Sequence, residues 1–180
     1  MDSIIKKLEN FRVVPVVTIE DAKDALSLGK ALIKGGLPII EVTFRTAAGA
    51  EAIARLSYEL PDICAGAGTV LTIDQVNLSI DAGARFIVSP GFNPRVVDYC
   101  IDRSVPIFPG VNSPTQVEMG LDRDLKVLKF FPAEASGGLK MLKAMAAPYG
   151  NVRFMPTGGI NIDNLKDYLA FDRIVACGGT

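Results

Sequence analysis

Glu41 and Lys129 each stand inside a largely apolar run. Glu41 lies in Ile39-Ile40-Glu41-Val42-Thr43-Phe44-Arg45-Thr46, and Lys129 in Leu125-Lys126-Val127-Leu128-Lys129-Phe130-Phe131-Pro132-Ala133-Glu134. Burying a charge in such a segment is costly unless it is paired. In extended backbone alternate residues share a face, so residues 41, 43 and 45 point together. Val127, Lys129 and Phe131 do the same, with Lys126 opposed. An amine among Leu128, Phe130 and Phe131 is poorly solvated, which favours the neutral, nucleophilic form. Two readings of Lys129 stand on its own strand. It is an imine-forming nucleophile, or a lysine whose stem lies on the Phe rings while its head reaches water. Glu41 likewise has a structural reading, as the partner of a lysine or arginine. Taken together the pair favours imine chemistry: Lys129 attacks a carbonyl carbon, Glu41 carries protons, and Arg45 holds a carboxylate.

Three glycine-bearing segments could serve such a site. Ala65-Gly66-Ala67-Gly68-Thr69-Val70-Leu71 suggests a dinucleotide loop, but the last glycine of that fingerprint would fall at Leu71, which excludes it. Its glycines read as a close approach of backbone to a ligand, with Thr69 offering a hydroxyl, or as a tight turn. Thr157-Gly158-Gly159 and Gly178-Gly179-Thr180 follow two later apolar runs. Bare amides at such places can bind phosphate, and turn glycines are the alternative. Ser89-Pro90-Gly91 and Pro109-Gly110 read as turns that could line a site.

These residues need elements to position them. Eight short apolar runs occur at 13–17, 39–43, 63–67, 86–89, 106–109, 126–130, 152–155 and 173–177. They are rich in β-branched residues and lack polar alternation, as parallel strands covered by helices do. Helical stripes lie between them at 22–33, 47–60, 72–82, 94–103, 114–122, 136–146 and 163–170, and residues 3–10 form a short N-terminal helix. The pattern predicts an α/β protein, a (β/α)8 TIM barrel, as one domain over 1–180. A doubly wound open sheet is the alternative; the even repeat and the missing dinucleotide motif favour the barrel. The chain ends at Thr180, directly after the eighth run, so the barrel is expected without its final helix. Active sites in this architecture form at the C-terminal ends of the strands, where the segments above fall.

Composition narrows the chemistry. The 180 residues include no histidine, which removes Ser-His-Asp and Cys-His catalysis and leaves acid–base work to other groups. Cys64, Cys100 and Cys177 form no C-x-x-C pair, so neither zinc nor a disulfide framework is expected. A net charge of −1 argues against nucleic acid as a partner. The mean hydropathy is +0.30, yet no apolar run approaches the ~18 residues of a membrane helix. The N-terminus lacks the pattern of a signal peptide.

The segments Ile40-Glu41-Val42-Thr43-Phe44-Arg45-Thr46, Gly66-Ala67-Gly68-Thr69-Val70, Ser89-Pro90-Gly91, Lys129-Phe130-Phe131-Pro132-Ala133-Glu134 and Pro156-Thr157-Gly158-Gly159 resemble the 2-keto-3-deoxy-6-phosphogluconate (KDPG) aldolases. That family also handles 4-hydroxy-2-oxoglutarate (KHG). The resemblance runs in order through essentially the whole chain. It implies a class I aldolase that needs no metal or cofactor, is cytoplasmic, and forms a homotrimer of barrels. It implies that Lys129 forms the Schiff base and that Glu41 is the general acid/base. Arg45, Thr69, Pro90, Phe131 and Thr157 would bind the 2-oxo acid substrate. Gly158, Gly159, Gly178, Gly179 and Thr180 would hold phosphate, with Thr180 standing where the family commonly has serine. Three rivals remain: an aldolase for the galactonate epimer, a phosphosugar isomerase, epimerase or synthase on the same barrel, and a non-catalytic trimeric scaffold.

Overall fold

The computed structural model describes residues 2–179. A ring of parallel strands alternates with helices. The strands are β1 (Val13–Val17), β2 (Ile39–Thr43), β3 (Cys64–Gly68), β4 (Ile87–Val88), β5 (Ile107–Phe108), β6 (Gly110–Val111), β7 (Val127–Phe130), β8 (Arg153–Pro156) and β9 (Cys177–Gly179). The helices are α1 (Asp2–Phe11), α2 (Asp24–Lys34), α3 (Gly49–Glu59), α4 (Ile73–Asp81), α5 (Pro94–Asp102), α6 (Pro114–Leu121), α7 (Gly138–Ala146) and α8 (Leu165–Leu169). Strands pair in the order β5-β4-β3-β2-β1-β9 and β6-β7-β8. Bridges Phe154↔Ile174 and Thr157↔Gly178 join β8 to the segment of β9. Pro109 separates β5 from β6 within a single run, so the two groups close into the predicted barrel.

Alternation along the strands sorts side chains into two cores. Ile40, Val42, Ala65, Ala67, Ile87, Leu128, Phe130 and Phe154 face outward and meet the helices. Val14, Ile39, Cys64, Phe86, Val88, Phe108, Val127 and Met155 face inward and fill the lower barrel. Ile4, Ile5 and Leu8 of α1 join this inner cluster and plug the lower end of the ring. The Phe86 and Phe108 rings meet edge to face, with centroids 6.0 Å apart. This inner cluster occupies the lower half of the ring, below the C-terminal ends of the strands.

Two strand boundaries differ from the sequence expectation. The fifth run, expected over 106–109, continues to Val111, and its pairing breaks at Pro109, which has no N–H to donate. Its carbonyl still accepts from the Lys129 amide at 2.9 Å. The eighth strand, expected over 173–177, pairs with β1 over Cys177–Gly179 instead. Residues 174 and 175 bond to β8, with Val175 N–H donating to the Phe154 carbonyl at 3.0 Å. Arg12 caps the changeover by donating to the carbonyls of Ile174 (3.0 Å) and Leu169 (2.7 Å). The segment therefore meets β8 first, at Ile174, and then sits between β1 and β8, with Gly178 paired to both.

Candidate active site

Lys129 and Glu41 meet inside the upper barrel. Lys129 lies on β7 between Gly110 and Met155, and Glu41 on β2 between Val16 and Gly66. Both side chains point inward, and Lys129 Nζ lies 3.5 Å from Glu41 Oε1. The two residues are 5% and 1% exposed, so each charge has little water to solvate it and needs the other. Glu41 Oε2 is buried with no hydrogen-bond partner among the described residues. Lys129 Nζ also sits 5.2 Å from the centre of the Phe131 ring.

A cavity of about 250 Å³ opens beside the amine. Arg45, Thr69, Pro90, Lys129, Phe131, Thr157, Gly158, Gly159, Gly178 and Gly179 line it. Glu41 sits just behind this lining, in contact with Lys129. Thr180, the remaining predicted phosphate ligand, lies outside the described residues. The strands explain the convergence, since Arg45, Thr69, Pro90, Phe131 and Thr157 each follow the C-terminal end of a different strand. Arg45 makes no ion pair among the described residues, and the adjacent Thr46 hydroxyl fixes its loop by donating to the Ile19 carbonyl at 2.6 Å. Pro90 is held by a turn in which Ser89 Oγ donates to the Gly91 carbonyl at 2.8 Å. Thr157 Oγ1 is buried without a partner among the described residues, and it points at the Gly178 backbone.

Thr69 adopts φ +57°, a region costly for a β-branched residue. The neighbouring amides hold it there: Phe44 N–H donates to the Gly68 carbonyl at 2.8 Å, and Val70 N–H to the Val88 carbonyl at 3.2 Å. The result turns Thr69 into the cavity.

The structure corrects two details of the sequence reading. Leu128 and Phe130 do not surround the amine; they face the helices, because they alternate with Lys129, and of the named apolar residues only Phe131 shares its side. Gly66 and Gly68 are not among the residues that line the cavity. A Cβ on Gly66 would fall 2.3 Å from the Phe86 ring, and one on Gly68 would fall 2.2 Å from Glu41 Oε1. The two glycines make room for inward side chains of neighbouring strands, one in the packed layer and one in the site. Two lining residues escaped the sequence reading, Val16 and Ile160. Alternation from Val14 along β1 points to Val16, and Ile160 simply follows the glycine pair.

A lysine paired with a glutamate at the closed end of a barrel cavity, with bare glycine backbone at the other, suits a carbonyl substrate that carries an anion. Residues 4–180 match the family model "Aldolase: KDPG and KHG aldolase".

The chain belongs to the KDPG and KHG aldolase family.

As a member it is an aldolase, a carbon–carbon lyase. It is 53% identical over 180 residues to the 2-dehydro-3-deoxy-phosphogluconate aldolase of Treponema pallidum, spanning all of this chain and 86% of that one. It is 41% identical over 168 residues to the KHG/KDPG aldolase of Escherichia coli K12, covering 93% of this chain and 79% of the other. Among solved structures, the KDPG aldolase of Legionella pneumophila superimposes with a TM-score of 0.94 at 39% identity, over 97% of this chain and 85% of that one. That crystal structure holds pyruvate captured at low pH as a covalent carbinolamine intermediate. No helix of the described chain is long and apolar enough to cross a membrane.

Proposed function

We propose that Lys129 is the Schiff-base lysine of this aldolase and Glu41 its proton carrier, acting on a phosphorylated 2-oxo acid. The 3.5 Å approach of the two buried groups carries this reading. The substrates proposed are 2-dehydro-3-deoxy-6-phosphogluconate, split to pyruvate and glyceraldehyde 3-phosphate, and 4-hydroxy-2-oxoglutarate, split to pyruvate and glyoxylate. Names of relatives at 53% and 41% identity support both.

The steps follow from the positions. Neutral Lys129 attacks the C2 ketone to give a carbinolamine, and loss of water leaves a protonated imine. Glu41, directly or through a water at its Oε2, takes the proton of the C4 hydroxyl. The C3–C4 bond breaks, its electrons pass into the imine, and the aldehyde leaves. The enamine is then protonated at C3 and hydrolysed, which frees pyruvate and restores the amine. Arg45 and Thr69 hold the carboxylate end. Phe131 and Pro90 wall the pyruvyl group. Thr157 contacts the substrate beside them, and Gly158, Gly159, Gly178 and Gly179 take the phosphate, together with Thr180. Every step uses groups of this chain, the substrate and water, and none needs a cofactor.

The test is cleavage of both substrates side by side by the wild-type chain. Turnover of both, with a higher kcat/KM for the phosphorylated one, is expected. Activity on 4-hydroxy-2-oxoglutarate alone would remove the phosphate role from the glycines. Phosphosugar binding without cleavage would favour the isomerase reading, and no activity at all the scaffold reading. We also place the protein in the cytoplasm as a homotrimer. Light scattering is expected to give three times the 19.2 kDa chain mass; a monomer mass would reject the trimer.

A further inference from the structure

The glycine corner after β8 owes its shape to residues outside the cavity. Gly158 and Gly159 have φ +99° and +80°; the Gly158 amide faces the Gly178 carbonyl across the Thr157↔Gly178 bridge, and those of Gly159 and Ile160 make no hydrogen bond among the described residues. In a planar trans peptide the C=O and the next N–H point in opposite directions. Each carbonyl of the corner is tied down on the far side. Ala133 N–H donates to the Thr157 carbonyl at 2.8 Å, and Glu134 N–H to the Gly158 carbonyl at 3.0 Å. Asn164 Nδ2 donates to the Gly159 carbonyl at 3.0 Å. The amides of Gly159 and Ile160 are thereby turned away from those partners, at a corner that lines the cavity.

Glu134 is the awkward member of this arrangement. Its backbone shapes the anion site, yet its side chain carries a negative charge beside it. A Cβ on Gly159 would lie 2.7 Å from both Cβ and Cγ of Glu134, so the stem presses on the back of the corner. The carboxylate is engaged by Tyr168, whose hydroxyl donates to Glu134 Oε1. Tyr168 is 1% exposed and fixed on α8, the helix that follows Asn164. Burial, and then the bond to Glu134, push the phenol up from its ordinary range, so it stays a donor at neutral pH. Neither residue touches the cavity.

We propose that Tyr168 is a positioning residue that holds the Glu134 carboxylate away from the glycine corner and so sets the affinity for the phosphorylated substrate. Without the hydroxyl, the carboxylate is free to turn about its stem toward Gly159, where it repels an incoming phosphate. The inference rests on the phosphate reading of the corner given above.

The experiment compares Tyr168→Phe, Glu134→Gln and the double variant with wild type on both substrates. Tyr168→Phe keeps the buried ring and removes the hydroxyl. KM for the phosphorylated substrate is expected to rise about tenfold, with kcat and the KM for 4-hydroxy-2-oxoglutarate within about twofold. Glu134→Gln retains an acceptor for Tyr168 and loses the charge, so its KM for the phosphorylated substrate stays at or below the wild-type value. The double variant recovers to within about threefold of wild type, because the group set loose is no longer charged. Equal changes on both substrates, no change in Tyr168→Phe, or a double variant as weak as Tyr168→Phe would overturn the inference. The wild-type comparison separates the two ideas. If wild type shows no preference for the phosphorylated substrate, the phosphate reading falls and this inference with it. If that preference survives in Tyr168→Phe, only this inference falls.

Discussion

Borohydride added in the presence of pyruvate is expected to leave a pyruvyl group on Lys129, and Lys129→Ala is expected to lower kcat/KM at least about ten-thousandfold. The size of the loss follows from the chemistry. A protonated imine is the electron sink that lets the C3–C4 bond break, and without the amine the ketone oxygen must take that charge alone. The described cavity offers no second amine, since its other cation, Arg45, is a guanidinium. The adduct is read by peptide mass mapping and the rate by coupled pyruvate assay. An adduct on another lysine, or turnover retained in Lys129→Ala, would displace Lys129 from the proposed role. Lys129 is 5% exposed, so a melting curve should accompany the variant to show that the barrel remains folded.

Glu41→Gln is the second large effect. The substitution keeps the volume of a side chain that is 1% exposed, and it keeps an oxygen within reach of Lys129. It removes the capacity to carry a proton. kcat is expected to fall about 10² to 10⁴-fold, the usual contribution of a positioned general acid or base. Trapping of pyruvate on Lys129 should persist, because attack and reduction need the amine more than the acid. Unchanged turnover would take Glu41 out of the proton path. Loss of trapping together with turnover would assign it to readying the amine instead.

Much of the fold was legible in the chain. Short β-branched runs separated by amphipathic stretches carried the barrel, since strands covered on the outside and packed on the inside have no polar face to show. Strand boundaries were less legible. The break at Pro109 and the shift of the eighth strand to Cys177–Gly179 depend on which neighbour each amide meets. The same limit misplaced Gly66 and Gly68. A glycine's spacing states that room is needed but not for what, and here Phe86 and Glu41, from other strands, fill it. Phe130 was misassigned for a simpler reason: adjacency along a strand puts neighbours on opposite faces.

The sequence by itself determined the kind of chemistry. A chain without histidine, with Lys129 and Glu41 set facing inward in apolar strands, has few other routes to carbonyl chemistry. Period-two alternation fixed which side chains travel with them, so Arg45 and Phe131 were identifiable as companions. Only the tertiary structure decided the distance between Lys129 and Glu41, which lie 88 residues apart along the chain. It also decided that Glu41 Oε2 and Thr157 Oγ1 have no partner among the described residues, and that Tyr168 on a distant helix reaches Glu134. Those facts depend on closure of the ring, which sets elements far apart in sequence at contact distance, and local patterns carry no record of that distance.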